Sequence, residues 1–545
     1  MRIPMKNRHV SLPRAALIGV LLLIAALSAK SQSDVSRSGQ WRIAGQNLSN
    51  TWSQPAEHSI SPANVHGLSP KWVFTTGGDV SATPTVDGSA VYFPDWGGNL
   101  FAVENDSGRL IWSHKISDYD GVDGVISGVS PAVDGNQVII GDTPNSKKVH
   151  NGANVISVDR ESGTLRWMTQ VDTHPAAIIT GSPVIFDGAV YLGISSSEET
   201  LALYPAYPCC SFRGSIVALD GKTGRILWKT FDIPDNGGRP GGYSGGAVWQ
   251  PPAIDPKRGT LFVGTGNNYT APADVEACQK ATPTANCAAA DDFFDTALAL
   301  DLKSGQIKWS KRLQGIDTFT GTCGFGAARP APGTPNCPVP DSQDFDFGGA
   351  GPNLVSNIVG LGQKSGIYWA LNPDDGNIAW STLVGPGSSL GGIEWGTATD
   401  GQRIYVAIAN RFHLPYTLVP SGQQITWGAW SALDVATGEH SLADRRSHRG
   451  HHRHGLGERC QRRHVCGFIF RADVRAGREN RKNRLELREW GLSNRWAIHS
   501  GRRPLLGIRL PKYPTWNRKQ QSLCLYSGWR EGSRRTLRRP LRRSG

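Results

Sequence analysis

Ile216–Trp228 reads IVALDGKTGRILW. An apolar alternation runs into an Asp-x-x-x-Gly turn and leaves through a second alternation that ends on Trp. Period-two alternation on both sides of an acidic, Gly-containing turn is the pattern of a β-hairpin. The phrase returns as AVENDSGRLIW ending at Trp112, ISVDRESGTLRW at Trp167, LALDLKSGQIKW at Trp309 and YWALNPDDGNIAW at Trp380. A sixth copy, SALDVATG, starts at Ser431 and breaks off after Gly438. Between the copies lies a second hairpin phrase with Asp-Gly at its turn, as in SATPTVDGSAVYF from Ser81, SPAVDGNQVIIGD from Ser130, SPVIFDGAVYLG from Ser182 and TATDGQRIYVA from Thr397. Two hairpins per unit make a four-stranded sheet, and repeated sheets of this size are propeller blades. Trp72 in SPKWVF reads as one more terminal Trp, and the spacing leaves room for two further copies after residue 440. The expected fold is therefore all-β: an eight-bladed β-propeller, incomplete at the C-terminus, with about six blades recognisable over residues 40–440.

Charge divides the chain unevenly. The net +13 suggests a nucleic-acid binder at first sight. Residues 441–545, however, hold 28 Lys and Arg against 7 Asp and Glu, whereas the preceding 440 hold 30 against 38. The basicity belongs to the tail. Its stretch HRGHHRHG (448–455) lacks metal-ligand spacing, and its arginines are not interleaved with aromatics, so no nucleic-acid partner is expected.

The first 31 residues read as an export signal. Arg2, Lys6, Arg8 and Arg14 precede an apolar run from Ala15 to Leu27, with small residues at Ala26-Leu27-Ser28 and Ala29-Lys30-Ser31 as cleavage candidates. The run is short for a membrane span of about 17–25 residues, so the alternative of an uncleaved anchor is the weaker one. Cys209/Cys210, Cys278/Cys287 and Cys323/Cys337 fall as close pairs, consistent with local disulfides in an oxidising compartment such as a Gram-negative periplasm. No C-x-x-C-H occurs in the chain, so it offers no attachment point for a c-type haem.

The ALD-x-x-TG-x-x-W phrase resembles the repeat of PQQ-dependent (quinoprotein) alcohol dehydrogenases. The opening Trp41 to Trp72, with SISPANV and SPKWVF, is similar to the polyvinyl-alcohol dehydrogenase group. A non-catalytic branch of the same repeat, an outer-membrane assembly lipoprotein, makes a scaffold the alternative. The resemblance implies a site for pyrroloquinoline quinone (PQQ) and Ca²⁺. AVWQPPAIDPKRGTLFVGTGN supplies Trp249 as the floor under a flat ring and Asn267 as a Ca²⁺ ligand, 18 residues apart as in the family. An indole face suits a tricycle, and an amide oxygen suits a hard cation. In TGSPVIFDGAVYLGISSSEE, Glu198 takes the Ca²⁺-ligand place, with Glu199 a one-residue rival; Thr180 and Ser195 take PQQ-contact places. Lys364 in GQKSGIYWALNPDDG takes the place of the PQQ-contacting cation, where it would stabilise charge developing on a quinone oxygen.

The family's base is an Asp after an aromatic, which DFDFGGAGP offers as Asp346, with Asp344 and Asp317 as rivals. Asp346 would take the hydroxyl proton of a primary or secondary alcohol, small or polymeric, while hydride passes to the quinone. Electrons would leave to a separate cytochrome c. Relatives stack a vicinal disulfide on PQQ one blade earlier than Cys209-Cys210 stands here, and the arginine they place in that earlier blade is replaced near Gly128. Ala247 stands where a Thr often precedes the stacking Trp.

The sixth copy is cut inside its hairpin. From about residue 440 the alternation stops and Arg takes over. Read one base later, Arg509 to Leu525 can encode Gly-Tyr-Pro-Asn-Ile-Pro-x-Gly-Thr-Gly-Asn-Asn-x-Leu-Tyr-Ala-Phe, which resembles a closing strand of this family. The expectation is a frameshift near residue 440, a non-native tail over 441–545 that is disordered and without blade-like packing, and an inactive product as the alternative outcome.

Overall fold

The computed structural model describes residues 40–61, 63–143, 152–282, 287–313, 315, 317–324, 333–338, 344–445, 496–500, 503–507 and 521–527. The export-signal segment lies outside them. Among the described residues no helix is long and apolar enough to cross a membrane.

Six antiparallel sheets follow one another along the chain, over residues 85–115, 132–172, 184–231, 253–312, 353–383 and 397–445; each has four strands, and the third gains Ala177–Ile178 as a fifth. We number them blades 1 to 6. Each takes its strands in sequence order from an innermost short strand to an outermost strand, as in Val184–Phe186, Ala189–Ser196, Ser215–Asp220 and Ile226–Phe231 of blade 3. The middle strands are buried on both faces: Ala189–Ser196 is buried at all eight positions. The fold is the β-propeller that the repeat requires.

The terminal Trp explains why the repeat carries its turn Gly. Trp167 at the end of blade 2 lies over Gly224 in the turn of blade 3, where an added Cβ would come 2.5 Å from the indole. Gly224 also has φ +73°, a conformation that side chains disfavour. The indole Nε1 of Trp167 then donates to Gly221 O at 3.1 Å. The same lock joins Trp72 to Gly108, Trp112 to Gly163, Trp228 to Gly305, Trp309 to Gly376 and Trp380 to Gly438. In the five complete copies the next Trp follows the turn Gly by four residues; after Gly438 that position is Leu442.

The segment from Trp41 to Thr51 closes the inner end of the ring. It exchanges main-chain hydrogen bonds with Val86 of blade 1, then meets Val133, Ile254, Leu354 and Thr399 in blades 2, 4, 5 and 6 through the carbonyls of Arg42, Leu48, Ser49 and Thr51. Asn50, at φ +47°, donates from Nδ2 to the carbonyls of Pro251 and Pro252 at 3.1 Å each.

In the tail the structure departs from the sequence reading. His440–Arg445 completes blade 6 as its outermost strand. Trp496–Ser500, Arg503–Gly507 and Gln521–Ser527 pair with Ser69–Thr76 into a seventh four-stranded sheet, with Ser69 opposite Ser527 and Thr76 opposite Gln521. The sequence reading expected little ordered strand and no blade-like packing in the tail; these three segments instead form one sheet with Ser69–Thr76. The physical reason is the free edge of Ser69–Thr76: its unpaired N–H and C=O groups are a template for any extended chain within reach. Residues 446–495, where a further blade would fall, lie outside the described residues.

Candidate active site

The site is built from the turns at the inner ends of blades 3 to 6. Trp249 lies in the segment entering blade 4, and Asn267 follows the strand Thr260–Gly264 of that blade. Asp344 and Asp346 lie in the stretch entering blade 5, and Lys364 occupies the turn between Ile358–Gly362 and Ile367–Leu371. The structure brings these five together. The Lys364 ammonium sits 5.5 Å from the centroid of the Trp249 ring. It donates to both oxygens of Asp344, at 2.8 and 2.9 Å, and to Asp346 Oδ2 at 3.1 Å. The other oxygen of Asp346 accepts the main-chain N–H of Asn267 at 2.7 Å. Gly266 permits that approach, since a Cβ there would lie 2.8 Å from Asp346 Oδ1.

Asn267 is oriented from behind. Its Nδ2 donates to the carbonyls of Asn268 and Phe319, at 2.7 and 2.8 Å. Two carbonyl partners fix which end of the amide is nitrogen, so the side-chain oxygen points the opposite way.

Burial and crowding set the electrostatics. Asp344 is pushed up to about 7, chiefly by burial, with the Lys364 ammonium opposing the shift. Burial also raises Glu394, to about 8, and Glu199 well above the usual carboxylate range, with Asp344 and Asp346 adding repulsion in both. Lys364 runs the other way. Burial disfavours its charge, but Asp344, Asp346, Glu199 and Glu394 outweigh that and hold the ammonium protonated well above its ordinary range.

Glu198 is held by its own loop. Its Oε1 accepts from the Tyr207 hydroxyl at 2.9 Å and from Ser211 N at 3.1 Å; its Oε2 accepts from Ser211 N at 3.1 Å and Phe212 N at 2.9 Å. His174 Nε2 stands 3.6 Å from Oε1. A carboxylate so engaged clamps the loop carrying Cys209-Cys210. Glu199 faces the cluster instead: Asp344, Lys364 and Asp346 dominate its surroundings, and its buried Oε1 has no hydrogen-bond partner.

The remaining candidates divide. Thr180 keeps a buried hydroxyl without a partner. Ser195 is buried in the strand Ala189–Ser196, opposite Ile178. Cys209 and Cys210 are disulfide-bonded across a cis peptide bond, and Cys209 borders the same apolar cluster as Trp249. The expected Cys278–Cys287 and Cys323–Cys337 bridges are present. Asp317 accepts Phe345 N at 2.6 Å and couples to Asp295, so it holds the Asp344–Asp346 stretch from behind.

Sequence reasoning missed Asp295, Glu394 and Trp395. Trp395 packs edge-on to Trp249, with centroids 5.5 Å apart and planes at 82°. A Cβ at Gly349 would come 2.8 Å from Trp249 and 3.2 Å from Trp395, so the glycine leaves space beside both rings. The one available signal was the polar-aromatic pair in GGIEWG, directly before the first strand of blade 6.

A family model described as outer membrane protein assembly factor BamB matches residues 69–208. That stretch contains three blade junctions but neither Trp249 nor Lys364. The chain is 30% identical to a polyvinylalcohol dehydrogenase of a Pseudomonas species over 396 residues, covering 69% of this chain and 56% of the relative. It is 30% identical to the polyvinylalcohol dehydrogenase of Sphingopyxis sp. strain 113P3 over 434 residues, covering 76% and 60%. The chain belongs to the PQQ-dependent alcohol dehydrogenase family. The fold agrees with a solved family structure, the quinohemoprotein alcohol dehydrogenase of Comamonas testosteroni, at a TM-score of 0.53 and 18% identity, over 75% of this chain and 67% of that one. The chain spans less than two thirds of the length of the two polyvinylalcohol dehydrogenases.

Proposed function

We infer that the chain is a dehydrogenase of primary or secondary alcohols, polymeric ones included, that works with PQQ and Ca²⁺ in the periplasm. The observation that carries this reading is the Lys364 ammonium, held over Trp249 and shared by Asp344 and Asp346 beside Asn267. A scaffold propeller has no use for a buried cation amid four carboxylates.

The residues fit the absent groups. Trp249 Nε1, Trp395 Nε1, Thr180 Oγ1 and Glu199 Oε1 are all buried without partners, an unusual concentration of unsatisfied polar atoms. Trp249, Thr180 and Ser195 would hold PQQ, with Lys364 at its edge. Asn267 and Glu199 would hold Ca²⁺. PQQ supplies a two-electron acceptor when bound. The chain supplies the base: the pair Asp344 and Asp346 takes the hydroxyl proton, with Asp346 the family's choice and Asp344 the carboxylate whose affinity for a proton is tuned near neutral pH. Lys364 keeps its charge and orients both. Electrons pass onward to a cytochrome c.

Reconstitution with PQQ and Ca²⁺, followed by alcohol-dependent reduction of a dye, tests this. Saturable PQQ binding with turnover supports it; no PQQ binding by chain purified with its blades folded overturns it.

A second reading, an inactive product of a shifted frame, is favoured by Leu442 standing where the repeat demands Trp. Resequencing the gene around codon 440 decides it.

A further inference from the structure

A second group of buried oxygens lies outside the Lys364 cluster. Asp232 follows the outermost strand of blade 3, Asn268 opens the short strand Asn268–Thr270, and Asp292 precedes the third strand of blade 4. Their exposures are 0%, 1% and 0%. Both carboxylate oxygens of Asp232, Asp292 Oδ1 and Asn268 Oδ1 are buried without a hydrogen-bond partner.

Contacts bring the three residues to one place. Asn268 Nδ2 donates to Asp292 Oδ2 at 2.8 Å, which leaves Asn268 Oδ1 and Asp292 Oδ1 unpartnered. Gly245 pairs with Asn268 across a two-stranded ladder. Asp232 comes to the same ladder: a Cβ on Gly246 would lie 2.6 Å from Asp232 Oδ1, and one on Gly214 would lie 2.5 Å from it. Phe293 N donates to Asp232 O at 2.9 Å, tying the two acidic segments together.

The nearby cations are engaged elsewhere. Arg213 donates to Ile233 O at 3.0 Å and to Asp235 at 3.4 Å, and lies 4.1 Å over Phe231. Arg312 donates to the main-chain carbonyl of Asp292 and lies 4.3 Å over Phe294. Their fields reach the two carboxylates but are outweighed by burial, which pushes Asp292 up to about 7 and Asp232 well above the usual range. Asp291 and Tyr243 also face Asp292. Unsatisfied carboxylates in a dry interior are costly unless something binds them.

We propose that Asp232, Asn268 and Asp292 form a structural site for a hard divalent cation of the Ca²⁺ class, separate from the Lys364 cluster. Three side-chain groups offer carboxylate and amide oxygens, and main-chain carbonyls or water complete the about 6–8 that such an ion takes. The ion would tie the exit of blade 3 to the connection between the second and third strands of blade 4, next to Asn267.

The test is Ca²⁺ alone, titrated into chelator-treated full chain without PQQ. The site assigned under Proposed function provides the second arm. Wild type should bind two ions, Asp232→Asn one, and Glu199→Gln the other one. Asn268→Asp, which adds a charge, should tighten the Asp232 ion at least tenfold. If Glu199→Gln loses all bound Ca²⁺, or wild type binds none, the Asp232 site is overturned. If Asp232→Asn loses the only ion and Glu199→Gln loses none, the Asp232 site stands and the Glu199 reading fails. Should Asp232→Asn not fold, unchanged affinity in Asn268→Asp overturns the proposal.

Discussion

Trp228 and Trp249 are neighbours in sequence and opposites in use. Trp228 ends blade 3, lies on Gly305 of blade 4 and donates from Nε1 to Leu302 O at 3.0 Å. Trp249 enters blade 4, is half-buried, and leaves its Nε1 buried and unspent. The same indole is a fastener in one place and a platform in the other. The difference separates structure from function here: where the sequence spends every polar atom, it holds blades together, and where it leaves Trp249, Trp395, Thr180 and Glu199 unsatisfied, it leaves room for something else.

The largest expected effect falls on the cation that both readings of the inner region need. Lys364→Met should reduce reconstituted alcohol oxidation by about 10³-fold or more, because it removes the charge that orients Asp344 and Asp346 and faces the ring site. It should also destabilise the chain, since breaking a buried pair strands the remaining charges. Rates on matched, PQQ-saturated protein check the first part. Activity within tenfold of wild type would remove Lys364 from the mechanism.

The two tryptophans can then be set against each other. Trp228→Ala should cost about 3–5 kcal/mol of stability, the usual loss for a large buried aromatic, and leave PQQ affinity per folded molecule unchanged. Trp249→Ala should do the reverse: about 100-fold weaker PQQ binding with a denaturation midpoint near that of wild type. Equal destabilisation by both would erase the distinction drawn above.

A pH profile sharpens the inner region further. Asp344 has its proton affinity raised to about 7 by burial. A base must be deprotonated to act, so kcat/KM should rise about tenfold per pH unit below 7 and level off above it. Asp344→Asn should abolish that limb, whereas Asp346→Asn should leave it in place if Asp344 is the group that titrates. The sign for folding is opposite: an Asp raised above its unfolded value binds its proton more tightly when folded, so its contribution to stability falls as pH rises from about 4 to 7.

How far the sequence revealed all this depended on chain geometry. The blades were legible because the Asp-x-x-x-Gly turn and its Trp recur at fixed spacing. Trp249 and Asn267 were legible only through the resemblance to the family, whose spacing they keep within one blade. Asp295, Glu394 and Trp395 were not, because the segments that carry them, inside blade 4 and entering blade 6, share no motif. The tail strands were invisible because their pairing depends on the free edge at Ser69–Thr76 rather than on any alternation of their own. The Glu198/Glu199 ambiguity has a similar origin. The strand Ala189–Ser196 is buried on both faces, so it carries no inside-outside alternation, and the chain then turns at once into the one-turn helix Glu198–Leu201. Neither period carries across that join.

Glu198→Gln is the smallest perturbation and the most specific. The amide keeps the shape of the side chain and one acceptor oxygen but removes the charge that receives Ser211 N, Phe212 N and the Tyr207 hydroxyl. Hydrogen bonds to a charged acceptor contribute about 1.5–3 kcal/mol each, and those that survive on a neutral one about 1 kcal/mol, so a net loss of about 1–3 kcal/mol is expected. If this carboxylate serves as the clamp on the Cys209-Cys210 loop, Ca²⁺ affinity should stay within twofold of wild type. Glu199→Gln should show the inverse, weaker Ca²⁺ with little loss of stability, since its Oε1 makes no hydrogen bond to lose. Parallel Ca²⁺ titrations and denaturant melts of the two variants separate the roles. A Ca²⁺ deficit in Glu198→Gln, with none in Glu199→Gln, would return the ligand role to Glu198.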